Sequence, residues 1–331
     1  MKAFVVERYS KDGLRPGVVP EPEDGDGDVL VKVSAASINP LDKMVRNGEF
    51  KRLLKYRTPF VLGHDVAGVV TRVGAAVRDF RVGDEVYARP RDLRIGTFAE
   101  YIAIDQDVAP KPASLTLHEA AAGPLVSLAA WQALVDRAHV QPGQKVLVHA
   151  GSGGLGSTMI QLARHLGATV ATTASGEKTE LVRSLGADVV VDYKKEDFAE
   201  VLSGYDVVLD SLGGENLEKS LTVLKPGGQA ISVTGPPDPG FAKQLGAPKF
   251  IAVAMRLLSR KVRTQARKLG VNYSFLFMQA NGAQLHELAA LYDAGHLRPV
   301  IDKTFPFDHT LEALAYVEHG RANGKVVITP D

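Results

Sequence analysis

The pattern of apolar and polar positions changes character near Leu117. Before it, short runs rich in β-branched residues (Val29-Leu30-Val31-Lys32-Val33, Val66-Ala67-Gly68-Val69-Val70 and Glu85-Val86-Tyr87-Ala88) are bounded by Gly, Pro and Asp. Such runs predict strands of a compact, mostly antiparallel β domain. After it, apolar segments at 145–150, 169–173, 189–192, 206–210 and 229–233 alternate with helical stretches. That rhythm predicts a parallel sheet covered on both faces. Val189-Val190-Val191 and Val207-Val208-Leu209 are apolar without alternation, as expected of strands buried on both sides.

Beyond Gly235 the regular alternation of strand and helix breaks down. A Pro-rich loop over 236–240 precedes a mostly helical 241–270, a sixth strand over 271–277 and a helix over 279–294. From 298 come a short strand, a helix over 308–320 and a last strand, Lys325-Val326-Val327-Ile328. A terminal strand needs a sheet to join, so this segment is expected to return to the first domain. The expected division is 1–120, completed by 298–331, around a parallel α/β domain over 121–297. A chain of 331 residues also exceeds what one core usually supports.

Composition narrows the classes. A net charge of +1 gives no electrostatic case for a nucleic acid or membrane partner. Cysteine is absent, which excludes disulfides and thiolate metal sites and fits a reducing compartment. Met1-Lys2-Ala3-Phe4-Val5-Val6 reads as a strand, not a signal peptide. The longest mainly apolar run, 120–135, is interrupted by Gly123, Pro124, Ser127 and Gln132 and reads as a buried helix. The expected location is the cytoplasm. The basic stretch 256–268 has the composition of a membrane-surface helix or an anion-binding patch. The simpler reading is a solvated face over a docked stripe of Leu257, Leu258, Val262 and Leu269.

The chemistry begins at Lys145-Val146-Leu147-Val148-His149-Ala150, an apolar strand that runs into Gly151-Ser152-Gly153-Gly154-Leu155-Gly156. This is the spacing of a dinucleotide-binding turn. The first glycine permits the sharp turn, the second lets the backbone approach a pyrophosphate, and the third lets the next helix pack on its strand. Leu155, Met159, Leu162 and Leu166 follow at helical spacing. The second strand ends Thr172-Thr173-Ala174-Ser175-Gly176, without the acid that would bind an NAD ribose. Ser175 and Lys178 instead offer a hydroxyl and an ammonium suited to a 2′-phosphate, and Tyr193 can add a phenolic donor. NADP is the expected cofactor, although Glu177 stands in the same turn. His149 is expected to support the loop.

Together these segments resemble the medium-chain dehydrogenase/reductase superfamily, and within it the zinc-independent quinone oxidoreductase and alkenal/enone reductase branch. The resemblance rests also on Ser37-Ile38-Asn39-Pro40-Leu41-Asp42, Gly63-His64-Asp65-Val66-Ala67-Gly68, Val82-Gly83-Asp84-Glu85-Val86, Gly96-Thr97-Phe98-Ala99-Glu100-Tyr101, Ala130-Trp131-Gln132-Ala133-Leu134 and Gly324-Lys325-Val326-Val327. It implies an α/β chain with a Rossmann doubly wound parallel sheet and a GroES-like, mostly β catalytic domain. It also implies a cleft between them and a homodimer. Zinc-dependent relatives carry a cysteine ligand where this chain has Asn39, and a histidine ligand at a motif like that of His64. Asn39 is a poor zinc ligand, so no metal is expected.

The resemblance implies NADPH-dependent hydride transfer to a small electron-poor substrate, a quinone or an α,β-unsaturated carbonyl compound. It carries Asn39 to a place beside the nicotinamide and substrate, with Asp42 holding that loop. The family commonly has a threonine where this chain has Ala129, and Ser127 is the nearby candidate to replace it. Tyr56, Tyr273 or water are the candidate proton donors. Phe275 and Phe277 are expected to form an apolar wall of the pocket by the cofactor. Two alternatives remain open at this stage: an enoyl-thioester reductase, and a non-catalytic NADPH-binding protein of the crystallin or RNA-binding kind.

Overall fold

The computed structural model describes every residue except Gln106, Arg321 and Asp331. The chain divides into two units, Met1–Leu128 with Gln279–Asp331, and Ala129–Met278.

In the first unit, β1 (Lys2–Val6) pairs antiparallel with β2 (Leu14–Val18). The long β3 (Val29–Ile38) leads into α1 (Pro40–Asn47), where Pro40 suits the first helical turn. There follow β4 (Phe60–Val61), β5 (Asp65–Val73), β6 (Glu85–Ala88), β7 (Tyr101–Ile104) and β8 (Val108–Pro110). Helices α2 (Leu117–Ala121) and α3 (Pro124–Trp131) follow, and α2 packs on β3 and β5. The core gathers Phe4, Val31, Ile38, Leu62, Val66, Val86 and Phe98, all nearly sealed from water. Each such side chain contributes about 1.5–3 kcal/mol by leaving solvent.

The second unit opens with a π-helical turn, Gln132–Arg137, and then alternates strand and helix. Its elements are β9 (Lys145–Val148), α4 (Gly154–His165), β10 (Thr169–Ala174), α5 (Thr179–Ser184), β11 (Val189–Asp192) and α6 (Phe198–Val201). They continue with β12 (Tyr205–Asp210), α7 (Gly214–Ser220), β13 (Leu224–Ser232), α8 (Pro239–Gln244), α9 (Lys249–Leu258), α10 (Arg260–Lys268) and β14 (Asn272–Phe275). The strands are parallel in the order β11-β10-β9-β12-β13-β14. That is the doubly wound order, with the strand order reversing between β9 and β12. Val207, Val208 and Leu209 of β12 are at most 1% exposed, as their unbroken apolar run predicts. Val189 differs, at 40% exposed, because β11 lies at the sheet edge.

The chain then returns to the first unit through α11 (Gly282–Asp293), β15 (Ile301–Pro306), α12 (Thr310–Glu318) and β16 (Lys325–Thr329). Strand β16 pairs antiparallel with β3 and parallel with β15, extending the larger first-unit sheet. The unit limits lie at 128 and 279, whereas the sequence pattern suggests 120 and 298. Packing accounts for the difference. Helix α11 packs on β8, and the Leu125 N–H donates to Asp65 Oδ1 at 2.8 Å.

The basic stretch departs from the simpler sequence reading. Val262 is buried as expected, but Leu257, Leu258 and Leu269 are 64%, 65% and 41% exposed. The docked stripe therefore consists of Met255, Val262 and Ala266, and the leucines lie on the outward side.

Candidate functional site

In the second unit, residues 149–153 connect β9 to α4. Ala150 adopts φ +52°, a left-handed conformation that turns the chain sharply. A Cβ on Gly151 would lie 2.1 Å from Thr172 Oγ1 of β10. One on Gly156 would lie 2.2 Å from the Ala150 carbonyl oxygen, so helix and turn can approach only with glycine there. Gly153, the residue before α4, has only Ala150 O near its missing Cβ, at 3.3 Å. Among the described residues no side chain caps α4. Its first-turn amides, from Gly154 and Leu155, therefore suit an anion, with the helix dipole in support. Ser152, Gly153, Gly154 and Leu155 are half-buried, while Gly151 and Gly156 are buried.

His149 supports this turn from below. Its ring nitrogens lie 3.2 Å from Thr173 Oγ1 and 2.8 Å from Ser220 Oγ, and its edge meets the Phe198 ring at 4.6 Å. Burial pushes its pKa down to about 4, so the imidazole is neutral at pH 7.

Strands β10 and β11 end side by side, with Ala174 opposite Asp192 and the Tyr193 N–H donating to Ala174 O at 3.3 Å. This register brings Ser175, Lys178 and Tyr193 to neighbouring strand ends. Ser175 and Lys178 are half-buried and Tyr193 is exposed. Glu177 pairs at 3.8 Å with Lys194, a cation that directly follows Tyr193 and to which the sequence pattern assigns no role. An acid does stand nearby, but at the end of β11: Asp192 Oδ2 is 2.6 Å from where a Gly176 Cβ would be. Asp192 also accepts the Lys194 N–H and lies 3.7 Å from the Lys195 ammonium.

Tyr273, Phe275 and Phe277 lie on or just after β14. Phe275 and Phe277 are buried against Phe241, with ring centroids 5.0 and 5.3 Å away. A cavity of about 450 Å³ is bordered by Arg137, Asp238, Phe241, Gln244, Ser274 and Phe275. The Tyr273 hydroxyl donates to Pro236 O at 2.7 Å, and burial pushes its pKa well above the usual phenol value.

In the first unit, β3, β5, α1 and β16 meet at a buried polar cluster. The Asn39 N–H donates to Asp42 Oδ2 at 2.6 Å, fixing the start of α1. The Asn39 side-chain amide donates to Asp65 Oδ2 at 2.9 Å and, more weakly, to Ser37 O at 3.4 Å. Lys325 Nζ donates to Asn39 Oδ1 at 2.5 Å and to Asp65 Oδ2 at 2.9 Å. Ser37 Oγ donates to the same Asp65 oxygen. Asp42 Oδ1 lies 2.6 Å from His64 Nδ1, and His64 Nε2 is buried with no partner among the described residues. The sequence pattern assigns no role to Asp65 or Lys325. The available signal was a charge at the start of an otherwise apolar strand.

Tyr56 stacks on Phe60 at 4.9 Å, and its oxygen accepts the Leu93 N–H at 3.2 Å. Burial raises its pKa well above the usual phenol value. Ser127 is fully buried in α3; its hydroxyl donates to Gly123 O at 2.8 Å and also bonds the Tyr292 hydroxyl.

The donors present do not suit zinc. Asn39 presents its amide oxygen to an ammonium, Asp65 is paired with the same ammonium, and the chain has no thiolate. His64 Nε2 is left as a single nitrogen donor, short of a zinc ligand set.

Comparison with known proteins agrees with this construction. Residues 25–113 match the alcohol dehydrogenase GroES-like domain, and residues 185–328 match a domain described as zinc-binding dehydrogenase. The chain is 38% identical over 344 residues to a chloroplastic NADPH-dependent alkenal/one oxidoreductase of Arabidopsis thaliana, covering 100% of this chain and 80% of that protein. It is 39% identical over 344 residues to 2-methylene-furan-3-one reductase of Solanum lycopersicum, covering 100% and 79%. Among solved structures, the quinone oxidoreductase from Coxiella burnetii superposes with a TM-score of 0.86 at 31% identity, covering 100% and 99%.

Proposed function

As the chain belongs to the medium-chain dehydrogenase/reductase superfamily and is an oxidoreductase, we propose that it uses NADPH to reduce an α,β-unsaturated carbonyl compound or a quinone without zinc. The observation that carries this reading is the glycine turn into the uncapped α4, with Ser175 and Lys178 at the tip of β10. The pyrophosphate would lie on the Gly154 and Leu155 amides, and the 2′-phosphate on Ser175, Lys178 and Tyr193. The three relatives described above are named for NADPH, for enone-type substrates or for quinones, which supports the substrate class.

Bound, the reduced nicotinamide supplies a hydride for an electron-poor carbon of the substrate. Negative charge then develops on the substrate's carbonyl oxygen and needs a hydrogen-bond donor. The Asn39 amide is suited to that role, because its 3.4 Å contact to Ser37 O is long enough to exchange for a substrate oxygen. Lys325 on Asn39 Oδ1 withdraws electron density from the amide and makes its N–H groups stronger donors. Of the two tyrosines, Tyr56 is the better proton donor. Its oxygen accepts from Leu93, whereas the Tyr273 proton is already donated to Pro236. Water is the other proton source. Ser127 directs its hydroxyl to Gly123 and Tyr292, so its part in cofactor binding would be to hold α3 in place. Phe275 and Phe277 would form an apolar wall beside the cofactor. A cytoplasmic homodimer belongs to the same reading and rests on the resemblance and the cysteine-free composition.

The test is NADPH oxidation by the metal-stripped protein with a short alkenal, a cyclic enone, a benzoquinone, a naphthoquinone and an enoyl-CoA, each repeated with NADH. Metal-free turnover of an enal, enone or quinone, faster with NADPH than NADH, is expected. NADPH binding without turnover of any of them, or turnover of enoyl-CoA alone, overturns the substrate class. Absence of NADPH binding overturns the whole reading.

A further inference from the structure

Helix α9 has ten residues, of which only Met255 is buried. Phe250, Val253 and Leu257, at helical spacing on one side, are 72%, 56% and 64% exposed, and the neighbouring Leu258 is 65% exposed. Water-facing apolar side chains in a continuous row are unusual on a soluble surface and mark a contact. The adjoining α10 carries Arg260, Thr264 and Lys268 in another row, one turn apart. A surface depression of about 580 Å³ joins the two helices, bordered by Leu257 and Leu258 on one side and Arg260, Lys261 and Lys268 on the other. Residues 249–268 hold seven Lys and Arg and no Asp or Glu, within a chain whose net charge is only +1.

We propose that the face formed by α9 and α10 docks on an anionic lipid bilayer, with Phe250, Val253, Leu257 and Leu258 entering the headgroup boundary and the α10 cations engaging lipid phosphates. Charge decides the occupant. A second copy of the chain meeting this face with its own would oppose like charge to like, with Lys261 alone paired to an acid among the described residues, Glu218 at 2.5 Å. A nucleic acid would satisfy the cations but leave the aliphatic row unused, since only Phe250 could stack on a base. A basic polar row beside an apolar row is the combination that lies in a membrane interface. No helix among the described residues is long and apolar enough to cross a membrane, so the contact is peripheral. It does not depend on the reductase reading.

The experiment is vesicle flotation of the full chain, with vesicles of phosphatidylcholine alone or with phosphatidylglycerol added. Two variants accompany it: Phe250→Ser with Leu257→Ser, and Arg260→Gln with Lys261→Gln and Lys268→Gln. Far-UV circular dichroism and a cooperative urea transition of each variant report that it is folded. The wild-type chain is expected to float with the anionic vesicles only, and less so as salt rises. The charge variant should lose roughly a hundredfold in partitioning, and the apolar variant a comparable factor. The proposal is overturned if the wild type ignores anionic vesicles, or if both folded variants float as well as it does. It is also overturned if light scattering without vesicles finds a dimer that the apolar variant alone converts to monomer, since a second copy then covers this face.

Discussion

Lys325 and Asp65, 260 positions apart, meet at 2.9 Å with the lysine side chain 5% and the aspartate 0% exposed. The same ammonium holds the oxygen of Asn39, so one buried cation ties the end of the chain to the proposed substrate-binding amide. Removing it leaves a carboxylate with no counter-charge in a medium that solvates charge poorly. Lys325→Met is therefore expected to cost about 3–5 kcal/mol in urea unfolding. Adding Asp65→Asn should restore part of that loss, because the remaining group is neutral. A single variant as stable as wild type would show that the pair contributes little.

The proposed donor role of Asn39 has its own kinetic signature. Asn39→Ala is expected to lower kcat on the best enone or quinone by roughly a hundredfold, the usual effect of losing one oxyanion donor. NADPH affinity should stay unchanged. Titration of NADPH fluorescence beside steady-state kinetics separates the two, and a variant altered in affinity alone would move Asn39 out of the donor role.

At the tip of β10, Lys178→Ala should weaken NADPH binding roughly tenfold or more, as expected for a lost charge-assisted hydrogen bond, while leaving NADH binding unaltered. Ser175→Asp should invert the preference between the two cofactors. Calorimetric titration with each cofactor decides the matter. Equal losses for both would place the 2′-phosphate elsewhere.

The Gly156 position allows no side chain. Gly156→Ala puts a carbon 2.2 Å from Ala150 O and 2.8 Å from Gly151 Cα, both backbone atoms that cannot move aside alone. A loss of about 1–3 kcal/mol and abolished NADPH binding are expected. Gly153→Ala, whose nearest contact would be 3.3 Å, should fold more stably than Gly156→Ala.

His149 makes stability depend on pH. Its pKa is about 4 in the fold, against about 6.5 for an ordinary imidazole, because burial opposes the charge. Between those values the unfolded chain binds a proton that the folded chain does not. Stability is therefore full above pH 6.5 and falls as the pH drops toward 4, by about 2 kcal/mol between pH 7 and pH 5. His149→Gln should flatten that part of the profile in urea unfolding at the two pH values.

Much of the nucleotide unit was legible in the sequence because its signals are local. The alternation of apolar runs with helical periods marks the strands. The spacing of Gly151, Gly153 and Gly156 reflects contacts within one turn and the strand beside it. The absence of an acid at the tip of β10 could likewise be read directly. The role proposed for Asn39 comes only from resemblance to a family, since a lone asparagine before a helix carries no catalytic signal of its own.

Other features depended on the assembled chain. Residue order does not reveal that Lys325 reaches Asp65 and Asn39, because that contact exists only after β16 lies beside β3. Nor does it reveal that the Tyr273 hydroxyl donates a hydrogen bond to the Pro236 carbonyl, or that Ser127 turns back to Gly123. Leu257 and Leu258 repeat at the period of a docked helix yet face water, since periodicity fixes which residues share a side and not whether that side finds a partner. Local spacing thus determined the elements and the glycine turn. Which charges are buried, which hydroxyls are already bonded and which apolar face stays open were decided by packing between segments far apart in the chain.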